Sequence, residues 1–214
     1  MTGLGGTGRL ADDLYLLAHH EATGKPHLQP RALGQGLAAG LLAELLMAEA
    51  IRVGRGSVVA AGGLMPGDDV SGLVARRVAS EPEPLPVRDW LAFLGQTAAR
   101  DVARRLEWAG YLTHERCWRG ERWVPVDADC AFAPLTRIGA VLRPSGLPGL
   151  EAARHLALAG LAVACGLGHQ LWLYLPPDAD QRLGAALQWL DPGLRELIAE
   201  TQAAVDSALL SHRV

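Results

Sequence analysis

The sequence predicts a mostly α-helical protein with two short β-hairpins. Apolar residues recur at helical spacing in most segments, whereas residues 51–59 and 111–126 place strand-forming residues on either side of a glycine-containing turn. The chain has 214 residues, of which 50% are apolar and 20% charged, as is ordinary for a globular protein with a sizeable core. We therefore expect one domain over residues 10–214, preceded by a flexible N-terminal tail over residues 1–9.

The central helix is predicted at residues 30–47, PRALGQGLAAGLLAELLM. Pro30 suits the first turn of a helix, and leucines follow every four residues at Leu33, Leu37, Leu41 and Leu45. Gly36 and Gly40 also lie four residues apart, and each costs about 1 kcal/mol relative to alanine. This pattern predicts a buried helix with a glycine face that another backbone approaches closely. We expect Trp90, Leu156 and Val163 in the same core.

The remaining elements follow from periodicity and from breaker residues. A first helix is predicted from Leu10 to His19, with Asp12 and Asp13 near its N-terminus, where the helix dipole favours acidic residues. A hairpin turns at Gly54–Gly56, and the prolines of residues 82–86 form an extended linker. Further helices are predicted at residues 67–80, from 87 onward, 97–109, 133–142, 149–165, 178–190 and 192–210.

The second hairpin, YLTHERCWRGERWVPV, is the most unusual segment. A two-residue turn at Gly120–Glu121 would set Arg119 opposite Arg122 and Trp118 opposite Trp123. Facing arginines repel each other unless an anion lies between them, so the tip is a candidate contact surface for a membrane, a partner or a second copy of the chain. The alternative is that the tryptophans pack onto the domain while the arginines are solvated.

Charge and cysteine usage narrow the function classes. With 20 basic and 23 acidic residues the net charge is −3, and no long basic run is present, so nucleic acid is not an expected partner. Three cysteines at irregular spacing predict a reduced, cytoplasmic protein. The first residues lack the apolar core of a signal peptide. The longest uncharged run, residues 156–177, is interrupted by Gly166, Gly168 and His169, which favours a buried helix over a membrane span.

No catalytic constellation is visible in the sequence. The histidines are scattered, and the nucleophile elbow, the zinc-protease helix and the phosphate-binding loop are all missing. The acidic pairs at residues 12–13, 68–69 and 127/129 are explained as helix starts or turns. We therefore expect no enzymatic activity, no cofactor and no metal site.

Several motifs in a fixed order carry a family resemblance. They are LADDLYLLA at residues 10–18, EATG at 21–24, the leucine-rich helix, PGD at 66–68, VRDWL at 87–91 and RRLEWAGYL at 104–112. Together they resemble the Golgi phosphoprotein 3 family in its bacterial branch. The resemblance implies an antiparallel helical core surrounded by amphipathic helices. It also implies a peripheral membrane protein of the cytosolic face that binds phosphatidylinositol 4-phosphate.

The resemblance places the family's head-group ligands, one tryptophan and three arginines, at positions where this chain has Gln29, Ala38, Gln96 and Ala99. None of these side chains supplies the guanidinium donors that a phosphate monoester favours. The candidate lipid-binding residues are therefore nearby arginines, namely Arg31, Arg100, Arg104 and Arg105. The alternative function is a soluble cytosolic accessory or small-ligand-binding protein whose lipid site has been lost or repurposed.

Overall fold

The computed structural model describes residues 7–63, 69–117, 120–143 and 150–210. These residues form ten helices and two small antiparallel sheets, which confirms the predicted mostly α class. In chain order the first half contains α1 (Leu10–Leu17), α2 (Pro30–Met47), β1 (Ile51–Gly54), β2 (Ser57–Ala60), α3 (Asp69–Ser80), β3 (Leu85–Pro86), α4 (Val87–Leu94) and α5 (Ala98–Trp108). The second half contains β4 (Leu112–Cys117), β5 (Gly120–Pro125), α6 (Ala128–Val141), α7 (Leu150–Ala164), α8 (Gly168–Trp172), α9 (Ala179–Leu187) and α10 (Pro192–Leu210).

Helix α2 is the centre of the fold and has the predicted bounds. It contacts α1, α3, α4, α5, α7 and α10, and its four spaced leucines are all buried. Trp90 of α4 and Leu156 of α7 lie in the same core, as predicted, whereas Val163 is only partly buried at its edge. Burying a leucine side chain contributes about 1.5–3 kcal/mol, so the four leucines of this helix together contribute substantially to hydrophobic stabilisation.

The glycines of α2 allow close backbone contacts, as the sequence predicts. A Cβ atom added to Gly40 would lie 2.9 Å from the Cα atom of Ala11, so α1 crosses α2 with almost no space between them. A Cβ atom added to Gly36 would meet the Sγ atom of Cys165, at the end of α7. One added to Gly34 would meet the carbonyl oxygen of Gly95, in the corner between α4 and α5. Three different elements therefore approach one helix at its glycines.

The first hairpin is confirmed but belongs to a three-stranded sheet. Strands β1 and β2 pair from Ile51–Ala60 to Gly54–Ser57, and Gly56 in the turn has a φ of 73°. The proline-rich segment is predicted to be an extended linker, and in the structure its last residues form β3, which pairs with β2. The Val87 amide also donates to the Gly56 carbonyl at 2.8 Å. Proline is tolerated here because β3 is an edge strand.

The register of the second hairpin differs from the predicted one. Glu115 pairs with Arg122 and His114 with Trp123, so the predicted pairs Arg119–Arg122 and Trp118–Trp123 are wrong. An ion pair of 3.1 Å between Arg122 and Glu115 and a ring stack between Trp123 and His114 stabilise the observed register. Trp118 and Arg119 lie outside the described residues.

Other differences concern the ends of helices. Helix α6 begins at Ala128 rather than at residue 133, because the Asp127 side chain accepts a hydrogen bond of 2.9 Å from the Asp129 amide and caps it. The short helix α8 was not predicted. Among the described residues, no helix combines the length and the hydrophobicity that crossing a membrane requires.

Candidate functional site

The four positions at which the resemblance places head-group ligands surround the crossing of α2 with the α4–α5 corner. Gln29 is exposed and precedes α2, and Gln96 is exposed in the corner. Ala38 is fully buried, and Ala99 is half-buried in the first turn of α5. Because none of the four carries a positive charge, these positions supply no cationic ligand for a phosphate.

The structure does not gather the four candidate arginines into one site. Arg31 is exposed in the first turn of α2, and Arg100 is exposed on α5, where its Nε lies 3.5 Å from Asp101. Arg104 is also exposed, whereas the side chain of the adjacent Arg105 is only 9% exposed. Only Arg104 and Arg105 line the same depression in the surface.

Arg105 is the centre of a buried polar cluster that joins four helices. Its Nε donates to the Asp12 carboxylate at 2.7 Å, and its two terminal nitrogens bind Glu44 at 3.1 and 3.2 Å. The Ser71 hydroxyl completes the cluster by donating to Glu44 at 2.8 Å. The Glu44 Oε1 atom, which Arg105 also contacts, accepts a second hydrogen bond from the Ala11 amide at 2.8 Å. The cluster therefore fixes α1, α2, α3 and α5 relative to one another.

Burial dominates the electrostatics of this cluster. It raises the pKa of Asp12 to about 6, although Arg105 favours the ionised carboxylate. Burial also opposes the charge of Arg105, but Glu44 and Asp12 outweigh it and raise the pKa of the guanidinium. Asp13 points to the other side of α1 and pairs with Arg137 of α6 at 2.8 Å, and burial raises its pKa to about 6. The predicted acidic pair at the start of α1 is thus a buried structural pair.

A groove of about 1280 Å³ lies beside this cluster. One wall is built from α2, α3 and α4 and is mainly apolar, with the side chains of Leu41, Val70, Leu73, Val74, Phe93 and Leu94 together with Arg77. The rest of the lining comes from the start of α1 and from α5 with its flanking residues, and it combines Thr7, Arg9, Asp12, Thr97, Asp101, Arg104 and Arg105 with Ala98, Trp108, Ala109 and Tyr111. The groove lining is therefore amphipathic.

The rim of the groove exposes large apolar side chains. Leu73 is 59% exposed, Phe93 50% and Trp108 92%. Thr97, Asp101, Arg104 and Trp108 lie at spacings of four, three and four along α5, so they share one face of that helix. Arg77 lies 5.6 Å from the centre of the Phe93 ring, a cation–π distance. Apolar and cationic groups thus share one opening.

Sequence reasoning missed this rim, apart from Arg104. Phe93 and Trp108 fall within predicted helices, and periodicity alone does not show which apolar residues remain outside the core. A usable signal exists in α5, where Trp108 falls on the face that also carries Asp101 and Arg104 rather than on the face of the buried Val102 and Leu106. Because Trp108 lines the same opening as the exposed Leu73 and Phe93, the three together indicate a contact surface.

The described part of the second hairpin packs back onto the domain. The Trp123 indole is half-buried, and its Nε1 donates to the Glu107 carboxylate at 3.0 Å. The loop before α2 contacts the hairpin backbone, because Gly24, with a φ of 61°, lies against the Trp123 carbonyl. Arg122 is ion-paired with Glu115. These contacts give both residues a structural role.

The described histidines are not gathered into a metal centre. His19 is buried, its Nδ1 lies 2.7 Å from the Tyr15 carbonyl oxygen, and burial lowers its pKa to about 4. His20 and His27 lie near each other, with ring centres 6.2 Å apart. Within the described ranges, no group of three or more histidine, cysteine or acidic side chains has a geometry that could hold a metal ion.

Comparison with known proteins agrees with the order of motifs in the chain. The model of the family described as Golgi phosphoprotein 3 (GPP34) matches residues 10–201, which span α1 to most of α10. A search of curated proteins finds no match. The family match covers nearly the whole chain and includes both hairpins, the central helix and all of the groove lining except Thr7 and Arg9. The protein therefore belongs to the Golgi phosphoprotein 3 family.

Proposed function

We propose that this protein is a non-enzymatic peripheral membrane protein of the cytosolic face that binds anionic phospholipid through the rim of the groove. One observation carries the proposal: Leu73, Phe93 and Trp108 are exposed around an opening that also bears Arg77 and Arg104. Tryptophan favours the membrane–water interface, because its ring is apolar while its N–H remains hydrated. Membership of the family supports a lipid-related role.

The charges around the groove favour anionic lipid over neutral lipid. Among the described residues no acidic group forms an ion pair with Arg104, whereas Arg100 and Arg77 have acidic neighbours in Asp101 and Glu81. A basic residue close to an anionic surface contributes about 1 kcal/mol to binding. Arg104 is therefore the strongest cationic candidate, and Arg105 contributes by holding the helices in place rather than by reaching a lipid.

Head-group selectivity is expected to be low. The positions corresponding to the family's ligands carry no guanidinium, so we expect phosphatidylinositol 4-phosphate to bind little better than other anionic lipids. Contacts between exposed charges are screened by salt, and binding should weaken steeply as ionic strength rises. Tight, head-group-selective binding at physiological salt would contradict this expectation.

Liposome flotation tests the proposal. Vesicles of phosphatidylcholine alone are compared with vesicles that also contain phosphatidylglycerol or phosphatidylinositol 4-phosphate. Reversing the charge in Arg104→Glu changes two units of charge near the surface, which is about 2 kcal/mol, or roughly thirty-fold in affinity. Trp108→Ser should also reduce flotation. Trp189→Ser is the matched control, because Trp189 is 76% exposed but does not line the groove.

The same assay separates the competing sites. Arg31→Glu and Arg100→Glu test the two candidate arginines outside the groove lining, and they should have smaller effects than Arg104→Glu. If Arg31→Glu abolished flotation while Arg104→Glu did not, the binding surface would lie near the family's ligand positions instead. If no variant or lipid composition supported flotation, the alternative of a soluble ligand-binding protein would take its place.

That the second hairpin forms a contact surface, including one for self-association through its tip, remains a prediction. Trp118→Ser and Arg119→Glu change the two residues of the predicted tip that lie outside the described residues, and sedimentation velocity reports any change in mass. Arg122→Ala and Trp123→Phe are less suitable tests, because the contacts with Glu115 and Glu107 give these residues structural roles.

A further inference from the structure

The groove is deeper than adsorption to a membrane surface requires. Its floor is formed by Leu41, Val74 and Ala98, each no more than 6% exposed, while its rim residues are open to solvent. At about 1280 Å³ it exceeds the range of roughly 300–1,000 Å³ that is usual for ligand sites. The opening therefore leads down to the central helix and offers room for a whole ligand.

The distribution of charge in the groove selects the kind of ligand. The two carboxylates of its lining already have basic partners: Asp12 is bound by Arg105, and Asp101 lies beside Arg100. Arg104 has no ion-pair partner among the described residues. The side chains of the α3–α4 wall are apolar apart from Arg77, which forms an ion pair with Glu81. The complementary ligand thus carries a negative charge at one position and an apolar chain at another.

We infer that the groove binds one molecule of an anionic phospholipid, with an acyl chain along the α3–α4 wall and the phosphate at Arg104. This inference rests on the proposed function and extends it from adsorption on a membrane to occupancy by a single lipid. The site is distinct from the family's ligand positions, because Gln29, Ala38, Gln96 and Ala99 do not line the groove.

A blocking substitution is available in Thr97. Its side chain is exposed in the lining and makes no capping hydrogen bond at the start of α5, so replacing it should leave the fold intact. In Thr97→Trp the indole would occupy the space between the two walls. Gln188→Trp is the matched control, since Gln188 is exposed at the end of α9 and outside the groove.

The experiment is isothermal titration calorimetry with dihexanoyl phosphatidylglycerol below its critical micelle concentration. The wild type and Gln188→Trp should bind one lipid per chain, and Thr97→Trp should bind none. Arg104→Glu should weaken binding at least ten-fold, as expected when a charged hydrogen bond is lost. Glycerol 3-phosphate and dihexanoyl phosphatidylcholine should bind at least ten-fold more weakly than the anionic lipid.

Each contrary result has a defined meaning. Equal binding of glycerol 3-phosphate would reduce the site to a phosphate site and overturn the inference, as would wild-type affinity in Thr97→Trp. If the wild type floated with anionic vesicles but did not bind the short-chain lipid, the inference would fail and the proposed function would stand. If it bound the short-chain lipid but never floated, the inference would stand and the peripheral membrane function would fail.

Discussion

Replacing Arg105 by alanine should destabilise the protein far more than the same change at Arg104. Arg105→Ala removes the cation from between Asp12 and Glu44, whose side chains are 2% and 12% exposed. Removing one partner of a buried ion pair typically costs about 3–5 kcal/mol. For a domain whose total stability is about 5–15 kcal/mol, this is a large fraction. Arg104→Ala removes an exposed side chain and should stay within about 0.5 kcal/mol.

Urea unfolding monitored by circular dichroism measures both variants, and pH provides an internal test. Arg105 favours the ionised form of Asp12, so its removal raises the pKa of that carboxyl above the folded value of about 6. The folded variant then binds a proton that the unfolded chain, with a carboxyl pKa near 3.8, does not. The difference in unfolding free energy between the wild type and Arg105→Ala should therefore shrink as pH falls from 7 to 5. Equal stability of the two variants at pH 7 would refute this account of the cluster.

Three further predictions concern the core and the acidic pair. Leu41→Ala, a large-to-small change at a side chain that is 2% exposed, should lower the free energy of unfolding by about 2–5 kcal/mol, and a loss below 1 kcal/mol in urea titration would contradict its burial. Gly40→Val should destabilise the protein by at least about 1–3 kcal/mol, because its Cβ would lie 2.9 Å from the Cα of Ala11. Gly184→Ala is the matched control on an open helix face and should stabilise the protein by about 0.4–1 kcal/mol. Thermal melts compare the two variants. Burial raises the pKa of Asp13 to about 6, so its contribution to stability is present below about pH 4 and is lost as pH rises through 6. Asp13→Asn should flatten that part of the stability profile, and an unchanged slope between pH 4 and 6.5 would argue against the raised pKa.

The central helix could be predicted to the residue because several independent signals agree there. Pro30 marks its start, and the leucines mark one continuous buried stripe. The two glycines also predicted close contact, although the sequence could not name the partners, since Ala11 and Cys165 come from distant parts of the chain. Local periodicity encodes which face is buried, but only the tertiary fold determines what covers that face.

The hairpin register and the groove could not be predicted for related reasons. Glycine at position 120 favoured a turn there, but the Glu115–Arg122 ion pair and the packing of Trp123 against the end of α5 stabilise a different register. Arg104 and Arg105 are neighbours in a charged stretch, and nothing local shows that one is exposed and the other buried. Contacts between residues far apart in sequence decide both features.

The contact between Gly36 and Cys165 gives the protein an internal reporter of its own unfolding. The thiol lies against the backbone of the central helix, is 1% exposed, and has a pKa that burial raises to about 12. Alkylating reagents react with the thiolate, so Cys165 should be inert while α2 and the end of α7 remain in contact. Its rate of modification then measures how often this crossing opens, at the point in the molecule where three elements meet one helix.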